Sequence, residues 1–430
     1  MSQPSRSAAA HRSSLVAPVV RIATTEIKKE QIYNLRYKIY IKEMSGENRH
    51  PEADNHRQQL RDHWDDQAYH FYVEQDGLIA ACVRLNLRSD GPLECEEQFD
   101  IEQFRPSFPS HVGMISRLVL HPNFRRGFIL KQLAFAAYQH ALDKDLHYIF
   151  IDCHPKLLPL YTRLGYRIYR PGFNHQKYTY VIPMVLAIND VGYLHQIKSP
   201  LVSVARQFGS SSSTKGHSIS RQRPPSADDT DCSDSRTGQL AIMSYDSILD
   251  RHATMVGADL FEGLTPDEVR RLVSAGHVVT CRTGDRVLNP GEQGRELFVI
   301  VSGSFQAYRR TLSPSIGDAK SFKILATGEV FGEIRFLKQE LHYDFVKARE
   351  DSTLLIIHGK SLDRLITTDP TIAAKIFRNI AKIVAMHLCD GVRFLRISPA
   401  RMHKPTCGSH QISIPKTIPG RAFLSPTIRT

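Results

Sequence analysis

With 430 residues, 41% of them hydrophobic, the chain is long enough for two or three domains, each with its own core. Its 56 lysines and arginines exceed its 44 acidic residues, and the formal net charge of +12 favours an acidic partner, although a basic solvated surface is the simpler explanation. The 7 scattered cysteines form no CxxC pair, which argues against a disulfide framework and a structural zinc. No apolar run is long enough for a membrane span. We therefore expect a cytoplasmic protein without a metal centre.

The first globular unit is predicted over residues 21–195, after a disordered N-terminus of residues 1–20. Apolar residues at helical spacing predict a helix over Glu26–Tyr40. Two strands, His70–Val73 and Leu78–Leu87, are expected to form a hairpin, because a turn with an Asp-Gly pair separates them.

Two further strands, Gly113–Leu120 and Tyr148–Cys153, flank an amphipathic helix. One face of this helix carries its apolar residues: Leu130, Leu133, Ala134, Ala137 and Ala141. Strands interspersed with helices indicate a layered α/β or α+β fold.

A disordered linker is predicted over residues 200–245, because its Ser, Arg, Pro and Asp residues offer almost no apolar surface to bury. A second globular unit follows over residues 248–397. A capping box of Thr265 and Glu268 predicts the start of its first helix. Its last helix is predicted to begin at Asp369-Pro370. The basic tail of residues 398–430 is expected to be disordered.

The order of elements from Met114 to Tyr166 resembles the core of the GNAT acyltransferases, which move an acyl group from a pantetheine thioester to an amine. The resemblance implies that the backbone of one strand, at Leu118, Val119 and Leu120, pairs with the pantetheine amides. It also implies that Tyr161 protonates the leaving thiolate. A half-buried aromatic that packs the fold is the alternative role for Tyr161.

The loop before the helix is expected to hold the donor phosphate at a helix N-terminus, with Arg125, Arg126 and Gly127. The family pattern has glycines where this chain has Phe128 and Leu130. The departure suits a donor with a single phosphate, as in the phosphopantetheine of an acyl carrier protein, and such an acidic carrier agrees with the net positive charge.

The stretch DHWDDQAYHFYVEQDGLIAACVRLNLR resembles the acyl-homoserine-lactone (autoinducer) synthases and the related N-acyl amino acid synthases. The matching residues are Arg36, Asp62, Asp65, Arg84 and Arg117, the last preceded by Ser116. The resemblance makes them site residues, whereas the alternative is a structural cluster of ion pairs.

Met114 stands where the autoinducer synthases have a glutamate, which disfavours a homoserine-lactone product and favours an acylated amino acid or another amine. Asp152 or His154, acting through an ordered water, is a weaker candidate for the base. The neighbouring Cys153 and His154 also suggest a nucleophile, although packing is the simpler role for them.

Two later stretches, NPGEQGRELFVIVSGSFQAYR and ILATGEVFGEIRFL, resemble the cyclic-nucleotide-binding domains of bacterial regulators and kinases. The resemblance implies a β-jelly-roll with flanking helices over about Leu260–Leu388. It places the nucleotide pocket at five residues: Gly332, Glu333, Ile334, His342 and Tyr343.

His342-Tyr343 occupies the place of the arginine that pairs with the cyclic phosphate in that family, so cyclic AMP or GMP binding competes with a docking role that keeps only the fold. Arg335 or Lys338 is a candidate substitute for that arginine. A single helix and a tail follow the domain, in place of a helix-turn-helix, and we therefore expect no DNA partner.

These observations predict a GNAT-like α/β (α+β) acyltransferase domain joined to a jelly-roll domain. The expected reaction moves a fatty acyl group from acyl carrier protein or acyl-CoA to the amine of an amino acid or similar small acceptor, under regulation by the second domain. The alternative is a non-catalytic, cyclic-nucleotide-responsive signalling protein with a degenerate acyltransferase domain.

Overall fold

The computed structural model describes residues 19–44, 50–125, 128–212, 259–289, 292, 294–310, 319–338 and 344–397. The described residues up to Met386 form one compact unit, which contains the first domain (residues 19–212) and the second domain (residues 259–386). Of the other unit, His387–Thr430, only the end of the last helix is described. The tail of residues 398–430 therefore lies outside the described residues, as do residues 1–18 and 213–258.

The first domain is a mixed sheet with helices on its faces. Its strands are β1 (Val20–Ile22), β2 (Ala53–Asp54), β3 (Gln59–Leu60), β4 (Ala68–Gln75), β5 (Leu78–Leu87), β6 (Val112–Leu120), β7 (Tyr148–Cys153), β8 (Arg167–Ile168), β9 (Phe173–His175) and β10 (Thr179–Ala187). Its helices are α1 (Glu26–Arg36), α2 (Glu96–Phe99), α3 (Ile129–Asp143), α4 (Leu158–Leu164), α5 (Val191–Gln196) and α6 (Val202–Ser212).

Helix α1 begins where Thr25 accepts a hydrogen bond from the backbone N–H of Lys28, and it continues as a π-helix over Tyr37–Glu43. The helix predicted over Glu26–Tyr40 is therefore confirmed and extended. Ile32 and Ile39 are buried, as the spacing of the apolar residues indicated.

The main sheet has the strand order β1-β4-β5-β6-β7-β10-β8, with β9 paired to β10. The predicted β4–β5 hairpin is confirmed, and Asp76 and Gly77 in its turn both have a positive φ. Strands β6 and β7 run parallel, connected through α3, whereas the other neighbours are antiparallel. Helix α3 buries Leu133, Ala137 and Ala141 against the sheet.

The domain boundary predicted at residues 195–200 is wrong. Leu201, Val204 and Ala205 are buried in the apolar core, and α6 continues to Ser212. These few apolar residues at helical spacing gain enough burial to order a segment that the polar composition had assigned to the linker. The remainder of the predicted linker, residues 213–245, lies outside the described residues.

The second domain stacks two four-stranded sheets, with strand orders β11-β18-β13-β16 and β12-β17-β14-β15. The strands are β11 (His277–Cys281), β12 (Arg286–Leu288), β13 (Glu296–Ser302), β14 (Phe305–Arg310), β15 (Ala319–Leu325), β16 (Val330–Phe331), β17 (Asp344–Ala348) and β18 (Ser352–His358). The helices are α7 (Pro266–Ser274), α8 (Glu333–Lys338), α9 (Gly359–Thr368) and α10 (Pro370–Ile397). This β-sandwich beside a mixed α/β domain confirms the predicted fold class.

Local sequence signals hold at both ends of the second domain. The capping box of Thr265 and Glu268 is formed in both directions at α7. Helix α10 buries Ile372, Ile376 and Ile380 against this domain.

The two domains pack directly on each other. The backbone N–H of Gly172 donates to the carbonyl of Thr280, and the Tyr180 hydroxyl donates to the same carbonyl, each over 3.0 Å. A Cβ at Gly172 would lie 2.2 Å from the Tyr180 hydroxyl, so the contact requires glycine. Buried apolar residues of both domains, Ile182 and Val279 among them, belong to one continuous cluster. The second domain is therefore held at the start of β10 by packing, in addition to the covalent linker.

None of the helices in the described ranges has the length and apolarity that crossing a membrane requires.

Candidate active site

A gap opens between the two central strands. Strands β6 and β7 pair only from Val112 to Met114 and from Tyr148 to Phe150, although both strands continue further. The register between β5 and β6 shifts near Arg117, whose φ is +55°, and such a bulge bends a strand away from its neighbour. From Ile115 to Leu120, β6 has no strand partner among the described residues on this side. Its backbone N–H and C=O groups there can pair with a ligand.

An apolar pocket lies beside the gap on the face that carries α3. The space not occupied by atoms in and around this pocket, open solvent included, is about 500 Å³. Its lining residues come from the sheet and from α3, α4 and the start of α6: Val83, Ile115, Leu118, Leu130, Leu133, Ala134, Ala137, Tyr138, Ile149, Leu160, Tyr161, Leu164, Tyr166, Leu186 and Leu201. A linear hydrocarbon chain is the kind of group that such a lining suits.

Tyr161 belongs to this apolar pocket. Its ring packs edge-on against Tyr166, with 5.5 Å between the ring centroids. Burial, followed by the neighbouring Cys153, raises the pKa of Tyr161 well above its usual value. The hydroxyl therefore keeps its proton at neutral pH, which a proton donor needs.

The opposite face of the sheet carries a network of buried charges. Successive residues of a strand point to opposite faces, and Val83 and Leu85 pack in the core with α3. Arg84, between them, therefore points to the other face, where it is fully buried. Its guanidinium contacts Asp62 at 2.5 Å, Asp65 at 3.2 Å and Glu94 at 2.8 Å, and its Nε donates to Ser116.

The remaining arginines of the predicted site join the same network. Arg36 contacts Asp65 at 2.6 Å, and Arg117 pairs with both Asp62 and Glu52. The structure thus brings together all five residues that the resemblance selected on this face.

Asp62 and Asp65 also have a structural role, because they form a capping box around Trp64. Burial alone would raise the pKa of Asp62, but the charges of Arg84, Arg117 and Lys177 outweigh burial and hold that pKa well below its usual range. The pKa of Asp65 is lowered in the same way by Arg36 and Arg84.

The more exposed rim of the network consists of three residues that the sequence analysis missed: Glu52, Glu94 and Lys177. Lys177 lies within 3.4 Å of Glu52, Asp62 and Glu94. These rim side chains keep 12–19% of their surface exposed, whereas those of Arg36 and Arg84 keep none. A small polar ligand would therefore meet the rim first. No local motif marks these residues; the sheet brings them together from distant parts of the chain.

Arg117 lies between two aromatic rings, 5.4 Å from the Tyr40 centroid and 5.6 Å from the Tyr178 centroid. Its Nη1 has no hydrogen-bond partner within the described part of the chain. This arginine therefore retains the two N–H bonds of Nη1, which no described residue uses.

The loop before α3 is only partly described. Arg125 is exposed and contacts Glu43 at 2.6 Å, and Arg126 and Gly127 lie outside the described residues. Phe128 precedes α3 without a side-chain cap and is 73% exposed, so it does not fill the gap. Leu130 lines the pocket without closing it.

The neighbouring Cys153 and His154 do not form a nucleophilic pair. Cys153 is fully buried, its thiol donates to the carbonyl of His154, and burial raises its pKa well above the usual value. The His154 ring instead accepts from the backbone N–H of Lys156. Packing therefore explains Cys153, whereas the His154 ring caps the turn that follows β7.

In the second domain, α8 begins at Glu333 directly after Gly332, whose φ is +85°. A Cβ at Gly332 would lie 2.8 Å from the carbonyl oxygen of Glu296, so this tight turn requires glycine. Glu333 is buried and Ile334 is half-buried, whereas His342 and Tyr343 lie outside the described residues. The predicted pocket is thus described only on its α8 side.

Arg335 connects this α8 pocket to the first domain. It is buried, and its Nη2 donates to Glu296 over 2.7 Å, while Nη1 lies 4.0 Å from a carboxylate oxygen of Glu292. Glu292 accepts a hydrogen bond from Thr179 of the first domain over 2.6 Å and lies 3.9 Å from the His154 ring. Burial alone would raise the pKa of Glu292, but its bonds and charges to His154, Thr179 and Arg335 lower that pKa to about 2.

One cluster among the described residues has metal-ligand chemistry: His111, Asp145 and His147. It lies at the start of β6 and β7, the ends opposite the gap. Both Nδ1 atoms are already used, by the carbonyl of Asp145 and by the Ser107 hydroxyl, and the two rings stack in parallel. This arrangement does not contribute to the candidate site.

Two family models match the chain. Residues 31–189 match the N-acyl amino acid synthase FeeM family, and residues 278–369 match the cyclic nucleotide-binding domain family. These matches confirm the resemblance to the N-acyl amino acid synthases and the resemblance to the cyclic-nucleotide-binding domains.

Individual relatives share only part of the chain. A cyclic AMP receptor protein of Thermus thermophilus is 29% identical over 134 residues, which are 31% of this chain and 59% of that protein. Glutaminase 1 of Bradyrhizobium diazoefficiens is 28% identical over 149 residues, 34% of this chain and 23% of that protein. The crystal structure of the Thermus thermophilus catabolite activator protein is similar with 27% identity and a TM-score of 0.29, over 32% of this chain and 62% of that one.

Proposed function

Because residues 31–189 belong to the N-acyl amino acid synthase FeeM family and residues 278–369 to the cyclic nucleotide-binding domain family, we propose that the chain is an acyltransferase of amino acids regulated by its second domain. A fatty acyl group moves from the thioester of acyl carrier protein or coenzyme A to the amine of an amino acid or similar small acceptor. The cytoplasm remains the expected compartment.

One relationship carries the proposal. The apolar pocket and the charged network lie on opposite faces of one sheet, along the same unpaired stretch of β6 and β7. A thioester in that gap has its acyl chain on the apolar side and its carbonyl carbon next to the charged side. The acceptor then reaches the carbonyl from the rim of Lys177 and Glu94.

On the donor side, the open edge of Leu118–Leu120 pairs with the pantetheine amides. The start of α3, with Arg125 and its neighbours Arg126 and Gly127, receives the phosphate. The single phosphate of a carrier-protein arm needs less of this loop than a pyrophosphate, which agrees with the missing glycines. Tyr161 protonates the leaving thiolate.

On the acceptor side, the free N–H of Arg117 offers a partner for the carboxylate of an amino acid. The rim carboxylates Glu52 and Glu94 favour a cationic or hydrogen-bonding amine. A zwitterionic acceptor fits this mixture of charges better than an apolar amine does.

Regulation follows from the position of Glu292. Cyclic AMP or GMP at the α8 pocket competes with Glu296 and Glu292 for Arg335, because a phosphate is a strong partner for arginine. The released Glu292 then changes its contacts with Thr179 and His154. Both contacts lie close to the site in the sequence. Thr179 comes two residues after Lys177, and His154 comes two residues after Asp152.

The test incubates the full chain with acyl carrier protein and coenzyme A thioesters of several lengths and a mixture of amino acids, with and without cyclic AMP or GMP. Mass spectrometry identifies the acylated product. The matched control is the variant Leu118→Trp, whose larger side chain fills the apolar pocket beside the gap. We expect product from the wild-type chain, and no product with any donor and acceptor would instead support the non-catalytic alternative.

A further inference from the structure

Asp152 lies at the candidate site, but it takes no part in the network of buried charges. It lies on β7 opposite Pro183 of β10, between Ile151 and Cys153, which both point into the core on the α3 side. By strand alternation its side chain points to the charged face, like Phe150 before it. It lies beyond Phe150, where β7 no longer pairs with β6, and therefore at the gap itself.

The other carboxylates on this face are committed to ion pairs. Four cations, Arg36, Arg84, Arg117 and Lys177, are matched with four carboxylates, Glu52, Asp62, Asp65 and Glu94. Asp152 has no ion pair and no hydrogen bond to another side chain among the described residues, and it is half-buried. It is therefore the carboxyl group on this face that no cation of the network pairs with among the described residues.

The surroundings of Asp152 favour its protonated form. Burial and then the charge of Glu94 raise the pKa of Asp152 to about 7, although its own backbone amide, Arg117 and Arg84 act in the opposite direction. Five further titratable groups interact with Asp152, and all are neutral near pH 7 because burial raises their pKa values: Tyr40, Cys95, Cys153, Tyr161 and Tyr178. A carboxylate with this affinity for protons can both take and release one near neutral pH.

We propose that Asp152 is the general base that takes the proton from the acceptor amine during acyl transfer. This inference rests on the proposed function. The zwitterionic acceptor first releases its ammonium proton to solvent. The amine lone pair then forms the C–N bond to the thioester carbon while the carbonyl π electrons move onto oxygen, and the nitrogen carries a positive charge. Asp152 accepts its proton, the carbonyl re-forms as the C–S bond breaks, and the electron pair of that bond leaves with sulfur. The sulfur takes a proton from Tyr161, which regains one from solvent as Asp152 releases its own.

The position suits the role because the carbonyl lies between the two diverging strands. Arg117 on β6 and Asp152 on β7 line the charged side of the gap from its two walls. The acceptor carboxylate on Arg117 would then direct its amine toward β7. An uncommitted carboxylate can also stabilise the positive charge that develops on nitrogen.

The test compares the full chain with Asp152→Asn, which keeps the size of the side chain and removes the base. At pH 7 we expect kcat to fall about 100-fold or more, with the KM for the thioester donor unchanged. The wild-type rate should rise with pH through a limb near 7, and that limb should disappear in the variant. An acceptor whose amine has a lower pKa should restore part of the lost rate.

Asp66→Asn is the matched control, because Asp66 is exposed and pairs with Arg61 at the surface. It should retain the rate and the pH limb of the wild type. If Asp152→Asn retains both while the wild type makes product, Asp152 is not the base and the proposed function survives. If the wild type makes no product with any substrate pair, both proposals fail.

Discussion

The Thr179 hydroxyl donates a 2.6 Å hydrogen bond to Glu292, and this bond crosses from the first domain to the second. Thr179 has a φ of +65°, which a β-branched residue rarely adopts, so surrounding contacts must hold it there. Lys177 lies two residues before Thr179, the first residue of β10. The start of this strand is thus fixed partly by Glu292 of the second domain.

Thr179→Val should remove this bond while it preserves the shape of the side chain. Because Glu292 would lose a buried donor, we expect the free energy of unfolding to fall by about 1–3 kcal/mol. Urea denaturation of the full chain measures the change. The exposed Thr367→Val is the control and should stay within about 0.5 kcal/mol of the wild type. An equal effect of the two variants would mean that the bond contributes nothing to the junction.

Asp62→Asn should destabilise the chain by about 3–5 kcal/mol at pH 7, because Arg84, Arg117 and Lys177 lose a shared partner. The pKa of Asp62 is lower in the folded chain than in the unfolded one, so its stabilisation is complete above the unfolded pKa of 3.8 and is lost as pH falls through the folded pKa. The difference between wild type and variant should therefore shrink only below about pH 4.

Thermal unfolding followed across this pH range measures the difference. Asp66→Asn serves as its control, since an exposed ion pair contributes about 1 kcal/mol or less. A wild-type chain that is no more stable than Asp62→Asn at pH 7 would show that the network does not stabilise the fold.

Ala134→Phe should shorten the acyl chain that the enzyme accepts, because Ala134 lines the apolar pocket and is half-buried. If the ring displaces about three methylenes, the longest donors lose about 2.4 kcal/mol of binding, a factor of about 60, and short donors lose little. Competition between donors of different lengths measures the profile. Ala136→Phe on the same helix is the control, because Ala136 does not line the pocket. An unchanged profile in Ala134→Phe would place the acyl chain elsewhere.

Tyr161→Phe separates the two roles of this residue. If the hydroxyl protonates the thiolate, we expect kcat to fall about 100-fold with the donor KM unchanged. Tyr166→Phe removes a hydroxyl from the neighbouring ring and should leave kcat close to wild type. Single-turnover kinetics with a carrier-protein thioester measures both. A Tyr161→Phe enzyme as fast as Tyr166→Phe would leave only the packing role.

Much of the fold could be predicted because it depends on local patterns. The helical spacing of Ile32 and Ile39, the Asp76-Gly77 turn and the Thr265 capping box act over a few residues, and each element forms where it was expected. The linker boundary failed because α6 is ordered by burial of Leu201 and Val204 against a distant part of the core, which a composition average does not reveal.

The sequence by itself predicted the two domain families and the charged residues of the buried network. It left open whether Tyr161 protonates the thiolate or only packs the fold. Only the tertiary structure decided that Lys177 and Glu94 form the rim of that network, that Asp152 stays outside it, and that Glu292 reaches the first domain. The physical reason is that strand order and register bring these side chains together across long stretches of chain. A side chain's ion pairs and burial then set its proton affinity, and neither can be read from its immediate neighbours in the sequence.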